Sequence, residues 1–416
     1  MQSKLISVMK LSAVPRAISG ARNITVRLLL PLLISACSAF APPAPAPAPA
    51  PAPVRIPAPA VGEVNLIRSP VELAQYQLLD IGIVIFDNLP DQFALQRPPE
   101  INAAAFTEIR QNETQYLPYV LRNTLIDSNH WGAVRVLPEN DPSVDLIING
   151  TIVVSDGLAL EIQITAVDST GLQWLNKTYA DISYSADFPV SSRYTASNRF
   201  DPAKFVDPFQ DLYDQINNDL LSMRNSLGEK QLVDLRQVSQ MVYASDLAPE
   251  SFGHTLSENP AGFLSVSTLL ADDDPMMRRM FDMRLRHHTF IDTVDQYYAA
   301  LFDEMRPVYA TWRHYSHDQL LEDKAAERNI YEGDVYGNAG RFLTLSQRYD
   351  RYRWAKIYEL EFADLATGFN NEIAPAILEL NRNVHGLDGT MSDQYAQWKK
   401  ILRSLFALEV EQAGSR

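Results

Sequence analysis

The stretch VDLIINGTIVVSDGLALEIQITAV, residues 144–167, holds two alternating apolar segments, 144–154 and 158–167, joined by Ser155-Asp156-Gly157. Alternation with period two puts every second side chain on one face, the pattern of a half-buried strand. β-Branched residues suit that pleated surface. An Asp-Gly pair between two such segments signals a hairpin, because Gly tolerates the positive φ that a tight turn demands. The pattern then repeats: Ser169-Thr170-Gly171 turns the chain into a third strand over 173–179, so 144–179 reads as a meander.

Upstream, LDIGIVIF (79–86) alternates in the same way, and WGAVRVL (131–137) is a further short strand. Between them Phe106, Ile109, Tyr116, Leu117, Val120, Leu121 and Leu125 recur at three-to-four spacing, which predicts a helix over 103–127. Pro118 lies inside it and is expected to kink it or to start it afresh. Strand, helix, strand and meander predict a small α/β domain over 76–185, with a mixed or antiparallel sheet in the order βαβ-β-β-β.

A linker at 186–204 leads to a helical domain expected over 205–412, so the fold class is α+β. Helical spacing marks 208–223 (Leu212, Ile216, Leu220) and 230–243 (Leu232, Leu235, Val238, Val242). Asp272-Asp273-Asp274-Pro275 is a helix start, with an acidic cap and Pro at the first position. The helix it opens carries Met277, Met280, Phe281, Phe290, Ile291, Val294, Tyr298, Leu301, Met305, Val308 and Trp312 as its apolar stripe. Pro307 should kink it, and Tyr315-Ser316 should mark its end. Further helices are expected over 345–369, over 372–384 with an interruption at Pro375, and over 392–410 with Tyr395, Trp398, Leu402, Leu405 and Leu408 on one face.

The amino-terminal end has a different character. Lys4, Lys10, Arg16, Arg22 and Arg27 precede the apolar run Leu28-Leu29-Leu30-Pro31-Leu32-Leu33, which ends at Ile34-Ser35-Ala36-Cys37. A basic region, a short apolar region and small residues at a cleavage point form a secretory signal. The apolar run is about half of the roughly twenty residues that span a bilayer. Cys37, the only cysteine, stands where it resembles the lipobox of bacterial lipoproteins. That resemblance implies a signal peptide over 1–36, cleavage between Ala36 and Cys37, and lipidation of Cys37. By the same resemblance Ser38, in place of Asp, implies sorting to the outer membrane. Residues 42–60 are nearly pure Pro-Ala alternation. Proline lacks an N–H and fixes φ, so the tract is expected to be an extended spacer, about 3 Å per residue and roughly 50–60 Å long. The lipid-anchored spacer is placed at 37–75.

Residues 81–88, 117–125, 131–138 and 145–178 together resemble the small α/β domain of several envelope proteins. These are the TolB amino-terminal domain, the curli-secretion lipoproteins and the lipoprotein activators of penicillin-binding proteins. The likeness covers about a quarter of the chain and implies a fold. The Asp-x-Thr-Gly signature of the curli family is replaced by Asp87-Asn88-Leu89-Pro90, so no pore is implied. A Pro-Ala stalk after a lipidated cysteine matches the layout of the penicillin-binding-protein activators.

Composition narrows the functions. The chain carries 51 acidic and 36 basic side chains, net −15, and loss of the five basic residues before Cys37 makes that −20. Such a chain is not a nucleic-acid binder, which needs clustered Lys and Arg, nor would it adhere by charge to anionic lipid. With its one cysteine acylated, it has no thiol for disulfides or catalysis.

No nucleophile elbow, Walker loop, dinucleotide fingerprint or His-Glu-x-x-His is present. Gly337-Asn338-Ala339-Gly340 lacks both the spacing and the Lys of a phosphate loop. His314 and His317, three apart, could share a helix face and a metal, with Asp292, Asp295 and Asp318 nearby and His287-His288 upstream. Histidine at a helix end suits the dipole equally well, and no metal or cofactor is assigned. Paired carboxylates for glycan cleavage would have to come from Asp272–Asp274 or from Glu359, Glu361 and Asp364; capping accounts for the first group. Arg278, Arg279, Arg284 and Arg286 read as a solvated face. Tyr349, Arg351, Tyr352, Arg353, Trp354 and Tyr358 could form a sugar- or protein-binding surface, or a buried stripe of Trp354, Tyr358 and Phe362. No catalytic residue stands out.

The expected function is a non-enzymatic scaffold, activator or assembly factor, lipid-anchored and facing the periplasm. It would serve an envelope protein complex in peptidoglycan synthesis, secretion or export, or the flagellar apparatus. The alternative is a peptidoglycan- or glycan-binding or hydrolysing protein that uses the aromatic-rich helical region.

Overall fold

The alternating segments form the sheet they predict. In a computed structural model, which describes residues 57–89, 103–189, 201–331 except 269 and 272, some of 349–365, and 376–414 except 381 and 382, six strands make one mixed sheet. They are β1 (Ile81–Val84), β2 (Asp87–Asn88), β3 (Val134–Leu137), β4 (Leu146–Ser155), β5 (Ala159–Asp168) and β6 (Gln173–Ile182). The order is β3-β1-β4-β5-β6, with β2 beside β4. β1 runs parallel to both β3 and β4, and the β4–β5–β6 meander is antiparallel. The first strand is broken between β1 and β2, where the Phe86 ring packs on Gly150; a Cβ there would meet that ring at 2.5 Å.

Helix α1 (Ala103–Asp127) has the bounds that its spacing predicts and continues through Pro118. It lies across β1, β3 and β4, and α2 (Gln210–Ser226) lies against β6 and α1. Leu117, Leu121, Leu212, Ile216 and Leu220 from these helices and Ile81, Ile83, Ile148, Ile152, Ile162 and Ile164 from the sheet are all fully buried. Each such side chain contributes roughly 1.5–3 kcal/mol.

After α2 come α3 (Glu229–Leu247), α4 (Pro249–Phe252), a small hairpin of β7 (Leu256–Glu258) and β8 (Leu264–Val266), and α5 (Pro275–Tyr331). Asp274 opens α5 as its sequence predicts, its Oδ1 accepting from the Met276 N–H at 2.7 Å. At 57 residues α5 is about 85 Å long. It does not end at Tyr315-Ser316, because Trp312, Ser316, His317 and Leu320 are buried and carry the inward stripe onward. Two stripe residues turn outward instead: Phe281 is 42% and Leu408 52% exposed.

The helix predicted over 372–384 is not formed. Ala376–Leu380 (β9) and Asn383–Leu387 (β10) pair as antiparallel strands, with Ile377 opposite Gly386. Two residues separate them, a hairpin spacing, and the short apolar run 376–380 fits a strand's period as well as a helix's. Helix α6 (Met391–Gly414) closes the fold. Some of the expected 345–369 helix is helical, including 360–365; the rest lies outside the described residues.

Both edges of the sheet are partnered. At β3, the Val136 N–H donates to Asp295 Oδ1 of α5 at 2.9 Å, so a helix carboxylate takes the place of a neighbouring strand. Arg122 of α1 holds the same carboxylate, through Nε at 2.9 Å and Nη2 at 2.5 Å. At β6, Ala60 bridges Ala180 in parallel, and the Val61 N–H donates to Ala180 O at 2.8 Å.

That bridge begins a strap along the body over 57–78. The Val64 N–H donates to Asp211 Oδ1 at 3.0 Å, the Ile67 N–H to Asn218 Oδ1 at 3.1 Å, and Asn218 Nδ2 to Asn65 O at 2.9 Å. Further on, Arg236 Nη1 donates to Gln75 O at 2.7 Å. Residues 57–75, expected to belong to the spacer, are therefore bonded to the folded body. Polar side chains of α2 supply the partners that this extended backbone lacks.

Candidate functional site

The groups with the most chemistry are walled in. Arg313 of α5 has no exposed surface. Its Nη2 donates to Glu113 Oε1 at 2.6 Å and Ser155 Oγ at 2.7 Å, its Nε to Tyr309 Oη at 2.6 Å, and its Nη1 to the Asp156 carbonyl. The Tyr309 hydroxyl donates in turn to Glu113 Oε1 at 2.8 Å. The guanidinium lies about 5 Å from the Phe209, Tyr309 and Trp312 rings. Burial would favour a neutral Arg313, but Tyr309, Glu113 and Asp207 hold the charge firmly in place. Asp207 feels the opposite balance. Burial pushes its carboxyl up to about 6 against the pull of Arg313. This cluster joins α1, the β4–β5 turn, the start of α2 and α5.

A second network fixes α6. Asp141 Oδ2 accepts from His287 Nε2 at 2.9 Å and from the Tyr395 hydroxyl at 2.7 Å, while Oδ1 accepts from the Ser143 N–H at 2.8 Å. Burial raises the Asp141 carboxyl, but His287 and these bonds outweigh it and keep it well below the usual carboxylate range. Neighbouring His288 is lowered to about 4 by burial and by Arg284 and Arg135. Asp141, Ser143, His287 and Tyr395 are all less than 2% exposed. A Ser, a His and an Asp meet here, all of them buried.

His314 and His317 sit on α5 against the Phe188 ring, with Asp318 beside both, and Asp295 and Asp292 bind Arg122 and Arg135. Among the described residues no three His, Cys, Asp or Glu side chains converge as metal ligands. Of the basic run, Arg284 turns inward to the Ser143 carbonyl at 2.7 Å and Arg286 pairs with Glu409 at 3.5 Å. Tyr349 is exposed, Glu361 and Asp364 are exposed, and Phe362 is buried against Tyr309. Ala36, Cys37, Ser38, Asp272, Gly337–Gly340, Arg351, Tyr352, Trp354, Tyr358 and Glu359 lie outside the described residues.

Two features face solvent. One is an open cleft of about 570 Å³ between α3, the β7–β8 hairpin and α6, with Val242, Leu256 and Leu264 in its wall. Arg403 Nη2 donates to Asp246 Oδ1 at 2.8 Å beside it. The other is the outer side of the meander, where Gln163 and Asn176 are exposed. Neither stands out in sequence, since single Thr, Asn and Gln residues on strands read as ordinary solvated positions.

Among the described residues no helix is long and apolar enough to cross a membrane. No protein-family model matches the chain, and no curated protein matches it in sequence.

Proposed function

We propose that the protein is a lipid-anchored envelope lipoprotein, held at the outer membrane through Cys37 and facing the periplasm. It works there as a non-enzymatic scaffold, activator or assembly factor for an envelope protein complex. The observation that carries this reading is the strap. The chain after Cys37 is bonded to β6 from Ala60 and Val61 onward and to α2 from Val64 onward. A strap bonded in this way fixes the point at which the chain joins the body, at the β6 edge of the sheet. Burial of the Ser, His, Asp, Glu and Arg networks supports a binding role over a catalytic one.

Full-length protein, solubilised from membranes and used as bait against envelope extract, should retain one partner in fixed ratio through washing in salt. Failure to recover such a partner overturns the scaffold reading. Fractionation tests the anchor separately: Cys37→Ala should remain unprocessed or leave the membrane fraction, and normal outer-membrane fractionation would defeat the lipidation of Cys37.

A further inference from the structure

We infer that the outer face of the β4–β5–β6 meander binds a neutral, hydroxyl- and acetamido-bearing glycan strand. The register sets Asn149 opposite Thr165 and Thr165 opposite Asn176, then Thr151 opposite Gln163 and Gln163 opposite Thr178. Residues directly opposite share a face. Six amide and hydroxyl side chains therefore stand in two rows of three, about 4.8 Å apart across the strands and about 7 Å apart along them. Gln163 and Asn176 are exposed and the other four half-buried. Among the six, Gln163 Nε2 donates to Asn176 Oδ1 at a long 3.4 Å. Each amide carries two donors and an acceptor, and each hydroxyl a donor and two acceptors, so the rows keep most of their hydrogen-bonding capacity for a ligand.

The charge on the face selects the class of ligand. None of the six positions holds an ionisable side chain, and the charges that share the face are both acidic: exposed Asp87 of β2 opposite Thr151, and buried Glu161 opposite Ala180. A polyanion would be repelled by a chain whose net charge is −15 overall and would meet no cation on the rows. A neutral polyhydroxylated chain incurs no such repulsion and can pair at every position.

The ends of the rows are apolar. Val167, opposite Gln173 and 36% exposed, lies two residues beyond Thr165. At the other end Ile182 is 45% exposed, and Tyr184, two residues on in extended backbone, is 65% exposed. Alternation along β6 puts Asn176, Thr178 and Ile182 on the same side. Aliphatic and tyrosine surfaces suit the C–H faces of pyranose rings, while the rows between them suit hydroxyl and acetamido groups. Repetition across three strands fits a polymer better than a single sugar. This chemistry rests on the face alone; its source, the cell-wall glycan, rests on the periplasmic placement proposed above.

The test is calorimetric titration of the full-length protein in detergent with the β-1,4-linked hexamer of N-acetylglucosamine, beside co-sedimentation with purified sacculi. Saturable binding of the hexamer and retention by sacculi are expected. Gln163→Ala/Asn176→Ala should weaken hexamer binding at least tenfold and Thr165→Glu should abolish it, with thermal melting close to wild type. Tyr184→Ala, outside the sheet, should weaken it several-fold and covers the case in which the strand variants fail to fold. No saturable wild-type binding at millimolar hexamer, wild-type affinity in the folded variants, or equal binding of heparin overturns the inference. Hexamer binding without sacculus retention overturns the cell-wall source. Cys37→Ala should bind the hexamer unchanged, which separates failure of the anchor from failure of the face.

Discussion

Arg313 shows how much of this fold depends on single side chains. A charge with no exposed surface persists only because Glu113, Tyr309, Ser155 and a backbone carbonyl take up its donors. Removing one partner leaves the other charge buried, so Arg313→Met should cost about 3–5 kcal/mol in urea unfolding. Replacing Arg313 and Glu113 together by apolar residues should recover some of that loss. Asp207 titrates with the opposite sign. Its folded value of about 6 lies above the ordinary 3.8, so its contribution to stability is fully present below 3.8 and is lost as pH rises through 6. His288, lowered to about 4, opposes that trend in the whole protein, which makes the variant the useful probe. Between pH 4 and 7.5 the stability of Asp207→Asn relative to wild type should rise by roughly 2–3 kcal/mol. A flat difference would show that Asp207 is ionised without penalty. Two glycines show what sequence can and cannot reveal. Gly171 has the positive φ, +88°, that its turn predicts. Gly157 is not among the residues of positive φ; a Cβ there would meet the Ser316 backbone of α5 at 2.3 Å. The turn was legible at both positions, but the need for Gly at 157 comes from a helix 159 residues away. Gly157→Ala should destabilise by about 1–3 kcal/mol or more, measured by thermal melting.

At the scale of elements, periodicity located the meander, α1, α2, α3 and α6 because each buries one regular face. Local polar residues misled where tertiary burial overrides them. Tyr315-Ser316 read as a helix end, but α5 passes through because Ser316 and His317 pack against the β4–β5 turn. Residues 372–384 read as a helix because a short apolar run fits either period, and it is the pairing of β9 with β10 that makes strands. The candidate site was legible in composition but not in position. Gln163, Thr165 and Asn176 are unremarkable one at a time and become rows only through register. The covering of β3 by α5 was also hidden, since nothing in Asp295 announces that it will serve a strand. Asp295→Ala would leave the Val136 N–H and the Arg122 guanidinium without their acceptor, at a cost of about 3–5 kcal/mol. Hydrogen exchange at Val136 should quicken more than at Ile148 in the middle of the sheet; equal change at both would mean that α5 does not protect that edge.

At the scale of the whole molecule, the strap is where the segment that follows the proposed anchor joins the folded body. Residues 57–75, expected in the spacer, are held to the body instead, because an α2 carboxylate and amide distant in sequence capture 64–67. Asp211→Ala/Asn218→Ala should expose 57–75 to limited proteolysis while the sheet stays folded; resistance equal to wild type would show that the Ala60–Ala180 bridge holds the strap alone. A load applied through the lipid would reach the body at Val61 first. The bonds at Val61, Val64 and Ile67 lie one after another along the strap, so they would be stressed in turn and break in succession, as a seam opens from its end. Each residue released adds about 3.3 Å of contour. Peeling 57–78 would thus lengthen the tether by roughly 70 Å before any strand of the sheet is pulled. With the proposed anchor in place, the strap would serve as a mechanical fuse, giving up reach before the sheet is loaded.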